Sequence, residues 1–258
     1  MTIDYLVWST YRSMSLSLLM ILLLTACASN KDKDESSASD GNEPDYSSSV
    51  DPWEPMNRKI YAFNDFADRW VLLPVAKGYQ WVTPDPVETG ISNAYSNLFE
   101  ITNIANDLLQ LKFIQAISDS GRFLVNTTLG LFGFIDVASR LGMEKHQEDF
   151  GQTLGFWGAP SGPFLVVPLF GPRTIRSGVG SLVDTYTDPV WYIEDSTTQY
   201  SILGLRYVSD RASLIQAEEL ISGDRYTFIR DAYLQRREFL VKDGVVDDDF
   251  GDEDDAWE

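Results

Sequence analysis

Between residues 51 and 242, apolar side chains recur at helical spacing. From Asn57 to Val71 they fall at Ile60, Phe63, Phe66, Ala67, Trp70 and Val71, one stripe, with Asn64, Asp65 and Asp68 opposite. This predicts a helix ending at Pro74, because proline removes a donor and clashes with the preceding turn. Val75, Tyr79 and Val82 predict a short second helix before Pro84-Asp85-Pro86. Ile91, Tyr95, Leu98, Ile101, Ile104, Ala105 and Leu108 carry the pattern from 87 to 111, with Asn103, Asn106 and Asp107 interrupting it. Ile114, Ile117, Gly121, Leu124 and Thr128 share one side over 112–128. Helical patterning returns over 173–186, 202–221 and 226–241. The fold class is mainly α, with little β and no internal repeat.

Two stretches break the period. Leu129–Asp136 sets two glycines among large apolar residues, a poor helix that reads either as a buried turn or as a mobile apolar loop beside lipid. Residues 150–172 are punctuated by five glycines and four prolines and read as loop, with a short extended piece at Phe164–Val167.

Charge divides the chain. Residues 243–258 hold nine acids and no base, and residues 28–50 are rich in Ser, Asp, Glu and Asn. Neither segment has the apolar surface to offset its ordering entropy, so 27–50 is expected to be a flexible tether and 243–258 a disordered acidic tail. Most of the net charge of −19 therefore lies outside the body at 51–242. No dense basic face marks a nucleic-acid partner. The body has no apolar run near the roughly 20 residues that a spanning helix needs. Its tryptophans (Trp53, Trp70, Trp81, Trp157 and Trp191) suit either a buried core or a membrane interface, and composition leaves the two even.

The one cysteine, Cys27, follows Leu24-Thr25-Ala26 at the end of an apolar run from Leu16. A short apolar run before small residues reads as a secretory signal over 1–26. Leu-Thr-Ala-Cys also resembles the bacterial lipobox. That likeness implies cleavage before Cys27, a diacylglycerol on its sulfur and an acyl chain on its nitrogen. Two or more chains anchor a protein stably. Ala28, rather than Asp, implies carriage to the outer membrane. With Cys27 acylated, no thiol remains for a disulfide.

Catalytic chemistry is sparse. His146 is the only histidine, in the charged run Glu144–Asp149, and reads as a solvated surface residue. Gly158-Ala-Pro-Ser-Gly162 lacks the spacing of a nucleophile elbow. Asp184 and Asp188 read as helix-end and turn acids. No metal or cofactor set is apparent.

Several blocks carry a family resemblance. Asp51-Pro-Trp-Glu-Pro-Met-Asn-Arg58 with Tyr61, Phe63 and Asn64, Asn126-Thr-Thr-Leu-Gly130 with Gly133-Phe-Ile-Asp-Val-Ala138, Phe150–Gly155 through Gly162–Pro172, and Arg230–Arg237 resemble the MlaA (VacJ) family of outer-membrane lipoproteins. The resemblance implies a ring-like single domain of amphipathic helices lying in the membrane plane of the inner leaflet around a channel. It implies removal of phospholipid from the outer leaflet, a trimeric porin partner and a periplasmic lipid-carrier protein. It makes Asn57, Phe63 and Asn64, with Gly130, Phe132, Gly133 and Phe134, the channel and gating candidates, Gly130 and Gly133 as hinges. Two positions depart from the family: Arg225 in Asp224-Arg225-Tyr226, where proline is common, and Ser177, where an acid is common. The alternatives are a periplasm-facing lipid hydrolase and a porin-associated scaffold.

Overall fold

The computed structural model describes residues 50–218 and 221–245. The signal, Cys27, nearly all of the tether and most of the acidic tail lie outside the described residues. The described chain is mainly helical: α1 (Glu54–Ala67), α2 (Leu73–Val82), α3 (Asp85–Leu109), α4 (Phe113–Thr128), α5 (Val137–Arg140), α6 (Phe150–Phe156), α7 (Ile175–Asp184), α8 (Ser196–Glu218) and α9 (Arg225–Val241). Its two strands, β1 (Phe164–Val167) and β2 (Gly171–Thr174), pair antiparallel with Val167 opposite Gly171.

Pro74 does not end the first helix. A π-helical turn at Asp68–Leu72 joins α1 to α2, and Pro74 sits in the first turn of α2. Proline is tolerated there because its missing N–H has no helical partner to lose. Residues 150–156, expected as loop, form α6 because the Asp149 side chain accepts from Gln152 N at 2.9 Å, a helix N-cap. Residues 173 and 174, expected as helix, belong to β2. Thr174 then caps α7 in a reciprocal box with Ser177, whose hydroxyl accepts from Thr174 N at 2.9 Å. Ser177 thereby fills the capping role open to an acid at that position. Asp224 caps α9, and Arg225 pairs with Glu218 of α8.

An aromatic core joins the two ends of the domain. Phe164 and Val166 of β1 pack with Tyr226 of α9, and Ile60, Tyr61, Tyr233 and Leu234 close around them. Tyr61 meets Tyr226 edge-on at 5.7 Å between centroids, a favoured aromatic geometry. This is a small apolar core. Elsewhere in the described residues, the buried positions are predominantly polar or charged.

Candidate functional site

The polarity of the helices runs opposite to that of an ordinary soluble domain. Along α3, Asn97, Glu100, Asn103 and Asp107 follow at steps of three and four, and all are buried, as is Gln110 at its C-terminus. Asp119, Arg122 and Asn126 do the same on α4. The residues that interrupted the apolar stripe are thus the inward face. On the other face, Ile114 is 88 % and Ile117 73 % exposed, and in α2 Trp81 is 87 % exposed. Trp53, Trp70, Trp157 and Trp191 are also exposed, so none of these tryptophans fills a core. No helix among the described residues is long and apolar enough to cross a membrane.

Most of the polar seam is hydrogen-bonded, as buried polar groups require, the carboxylate oxygens of Asp107 and Asp119 Oδ2 being among the exceptions. Asn97 Nδ2 donates to Thr127 Oγ1 at 2.9 Å, and Arg122 Nε lies 3.4 Å from Glu100 Oε1. Arg122 also donates to the Met143 carbonyl at 2.5 Å and to Ser139 Oγ at 3.2 Å. Asn103, Gln110 and Lys112 hold the segment before α6: Glu148 N donates to Asn103 Oδ1 at 3.1 Å, and Gln110 Nε2 to Glu148 Oε2 at 2.8 Å. Lys112 Nζ donates to Glu148 Oε1 at 3.0 Å and pairs with Asp243 near the end of α9. His146 is not simply solvated. Its Nδ1 sits 2.8 Å from Asp119 Oδ1, while its ring lines an open groove of about 700 Å³ with Leu111, Phe113, Ile114 and Met143. Asp184 accepts from Phe150 N at 3.0 Å and from Asn106 at 3.1 Å, and burial pushes its carboxyl up to about 6. Asp188 caps the turn at Pro189–Tyr192. Both are structural acids.

The opening-helix candidates separate into two roles. Asn57 is wholly buried and clamps β1: its Oδ1 accepts from Val166 N at 2.9 Å, and its Nδ2 donates to the Phe164 carbonyl at 3.1 Å and to Asp51 Oδ1 at 2.7 Å. Asn64, two turns on, repeats the device with Leu169 N at 2.8 Å and the Val167 carbonyl at 3.0 Å. Side-chain amides thus give β1 hydrogen-bond partners beyond those of β2. Phe63, between them, faces outward beside Phe66 and Trp70.

The loop candidates form a tight knuckle after α4. Leu131, Phe132 and Gly133 are consecutively left-handed, at φ 53°, 57° and 87°. Leu131 and Phe132 project outward while the half-buried Phe134 ring lies against Gly90 of α3. A Cβ on Gly130 would collide with the Ile135 carbonyl, and one on Gly133 with the Asn97 side chain. Gly133 is thus required both by its positive φ and by the close approach of Asn97, and Gly130 by close approach alone. Asp136 closes the knuckle, accepting from Asn126 Nδ2 at 3.1 Å and from Ser139 N at 3.0 Å.

Sequence reading missed Glu100, Arg122 and Asp136 as one network, and Asp119 with His146 beside it. Their signal was present as a polar stripe at helical spacing; the missing step was to turn that stripe inward.

The comparisons agree with this architecture. Residues 49–240 match the family model for the MlaA lipoprotein. A Haemophilus influenzae protein, the intermembrane phospholipid transport system lipoprotein MlaA, is 33 % identical over 81 % of this chain and 86 % of its own. Its Escherichia coli counterpart is 32 % identical over 78 % and 82 %. An uncharacterized Rickettsia typhi protein is 34 % identical over 74 % and 78 %. A solved chain from work on the structural basis for maintenance of bacterial outer membrane lipid asymmetry superposes with a TM-score of 0.66 at 32 % identity, covering 74 % of this chain and 98 % of that one. The chain belongs to the MlaA lipoprotein family.

Proposed function

We propose that this protein is an outer-membrane lipoprotein that withdraws misplaced phospholipid from the outer leaflet and passes it to a periplasmic carrier, so maintaining lipid asymmetry. The observation that carries the reading is the inverted polarity of the α3–α4 hairpin: charged and amide groups are buried together, and large apolar side chains are exposed. In water, such an apolar surface favours association. In a leaflet, helices too short and polar to span lie in its plane with that surface among acyl chains. The exposed tryptophans then gain the interface that suits an amphipathic ring.

The chemistry required is solvation, not bond cleavage. A lipid headgroup crossing hydrocarbon without partners costs several kcal/mol. A passage with polar lining lowers that cost while the tails stay in oil. Phe63 and the Leu131–Phe132 knuckle are apolar groups placed to contact lipid, with Asn57 and Asn64 holding the helix that presents Phe63. Acylated Cys27 would tether the domain to the inner leaflet, with a trimeric porin beside it. Two relatives named as lipoproteins of an intermembrane phospholipid transport system support this reading.

The test is transfer. Reconstituted, acylated protein should move a labelled phospholipid from liposomes to a soluble acceptor carrier with its ester bonds intact. Release of free fatty acid, lost in His146→Ala, would favour a hydrolase. Unchanged outer-leaflet phospholipid after deletion, with porin binding retained, would favour a scaffold.

A further inference from the structure

The polar seam holds a carboxyl pair that lipid transfer does not use. Asp107 of α3 and Asp119 of α4 are both wholly buried. The hairpin register places them opposite one another, since Asn97 reaches Thr127 and Glu100 reaches Arg122. Asp107 comes within hydrogen-bonding reach of Asp119. Among the described residues no donor reaches either carboxylate oxygen of Asp107, or Asp119 Oδ2. Asp119 Oδ1 has one partner, His146 Nδ1. Two buried carboxylates side by side cannot readily both be ionised. One proton pairs an Asp107 oxygen with Asp119 Oδ2 and leaves the other Asp107 oxygen as an unpaired carbonyl, which costs far less than an unpaired carboxylate. A neutral Asp107 can donate through its O–H to Asp119 Oδ2, while Asp119 Oδ1 stays 2.8 Å from His146 Nδ1.

We infer that Asp107 is a neutral acid at physiological pH, that it shares its proton with Asp119, and that this chain, ending on His146 at the groove, makes the clasp of residues 143–149 on the α3–α4 hairpin sensitive to pH. The proton is held within a defined set of charges. Lys112, on the turn between the helices, favours ionisation of Asp107 but is divided between Glu148 and Asp243. Glu148, on the inner segment, opposes ionisation. Glu100 and Arg122 flank the pair from α3 and α4, and Asp184 of α7 and the Asp149–Arg237 pair lie on the α6 side. Burial first, then Asp119 and Glu148, push the Asp107 carboxyl up to about 8. The inference is independent of lipid transfer.

The sign follows from linkage. Asp107 is protonated in the unfolded chain only below its ordinary value of about 3.9. From there to about 8 the folded chain holds a proton that the unfolded chain lacks, so stability declines as pH rises across the window and levels off above it. Asp184 contributes only up to about 6; burial also raises the Glu100 and Asp210 carboxyls, so the comparison with Asp107→Asn isolates the share that belongs to Asp107.

The test uses the full acylated chain in detergent micelles. Between about pH 6.5 and 7.5 the unfolding constant of the wild type should rise nearly tenfold per pH unit. In Asp107→Asn, whose amide donates the same hydrogen bond without a titrating proton, that rise should vanish. A wild type without the rise, or an Asp107→Asn protein that keeps it, overturns the inference. Infrared spectra of the folded wild type provide a readout that needs no variant to fold. With isotope-labelled aspartate, the band of a protonated aspartyl carboxyl should be present at pH 7 and fade as pH passes about 8. Absence of that band at pH 7, with both carboxylates ionised around a water or cation, overturns it equally.

Discussion

Arg122 of α4 and Glu100 of α3 face one another inside the hairpin with their side chains 1 % and 2 % exposed, Nε to Oε1 at 3.4 Å. The same guanidinium donates to Ser139 and Met143 and lies 3.4 Å from Asp136, so one cation ties together α3, α4 and the segment around α5. Removing it takes away the one cation that both carboxylates share and leaves them only neutral donors, Asn103 for Glu100 and Asn126 with Ser139 for Asp136. Arg122→Met should cost about 3–5 kcal/mol in denaturant unfolding, the range for breaking one side of a buried ion pair. Pairing Arg122→Met with Glu100→Gln should cost less than the sum of the two single changes. Additive costs would show that the pair is not coupled.

Asn57 supports a different prediction. Its amide serves a β1 backbone N–H, a β1 carbonyl and Asp51, all buried. Asn57→Ala leaves the Val166 N–H and the Phe164 carbonyl without that partner, while Asp51 keeps Tyr226, and should destabilise the domain by roughly 2–6 kcal/mol, taking about 1–3 kcal/mol for each of the two backbone groups orphaned. Asn64→Ala, at a half-buried site, should cost less. Thermal unfolding of the two variants side by side decides it. Equal losses would contradict the burial argument.

The contrast between Asn57 and Phe63 shows what the sequence made legible. Spacing alone placed both on α1, and the block from Asp51 to Arg58 pointed to the right family. Periodicity also located most helices, because an apolar stripe at 3.6 residues per turn reads the same whichever way it faces. It could not say which face was inward. That depends on whether the surrounding medium is water or hydrocarbon, so Asn103 and Asp107 looked like interruptions. Helix α6 was missed because glycine-rich composition outweighed one capping aspartate, Asp149, whose effect depends on the Gln152 N–H it accepts. The continuation through Pro74 was missed because a π-turn is a local adjustment with no periodic signature.

The knuckle after α4 stores backbone strain. Leu131 and Phe132 are left-handed without being glycine, each costing about 1–2 kcal/mol relative to a residue that adopts this region freely. Phe132→Gly should relieve part of that strain and raise stability by up to about 1 kcal/mol, while removing an outward ring from the exposed apolar surface. Gly133→Ala should do the reverse, because its φ is positive and Asn97 fills the space. Bulky replacement of Gly130 and Gly133 together should therefore lower protein level as well as lipid removal. Combined transfer and unfolding measurements on Phe132→Gly separate strain from contact. Raised stability with lost transfer indicates that the ring itself is used.

Asp136 sets an acid limit. Burial opposes its ionisation, but the Ser139 hydroxyl and N–H, the Asn126 amide and Arg122 outweigh that and lower it to about 2. Its contribution is present above the ordinary aspartate value of about 3.9 and is lost as pH falls towards 2. Asp136→Asn should flatten the acid limb of the stability profile between these values. A limb of unchanged steepness would assign acid sensitivity elsewhere.

Trp81 tests the orientation of the domain directly. It is 87 % exposed on α2, and Ile114 is 88 % exposed on α4. If these faces lie among acyl chains, brominated lipid should quench the fluorescence of a variant retaining Trp81 alone among the tryptophans. A variant retaining only a tryptophan placed at the buried Ala138 should be quenched less. Ile114→Ser should weaken binding to vesicles by about 1–2 kcal/mol, since the lost transfer is that of one exposed aliphatic side chain. Denaturant stability in micelles should change far less, because Ile114 has little burial to lose within the protein. Trp81 fluorescence untouched by brominated lipid at every acyl depth would place α2 in water, and the inverted polarity of the helices would then need a protein partner to cover it.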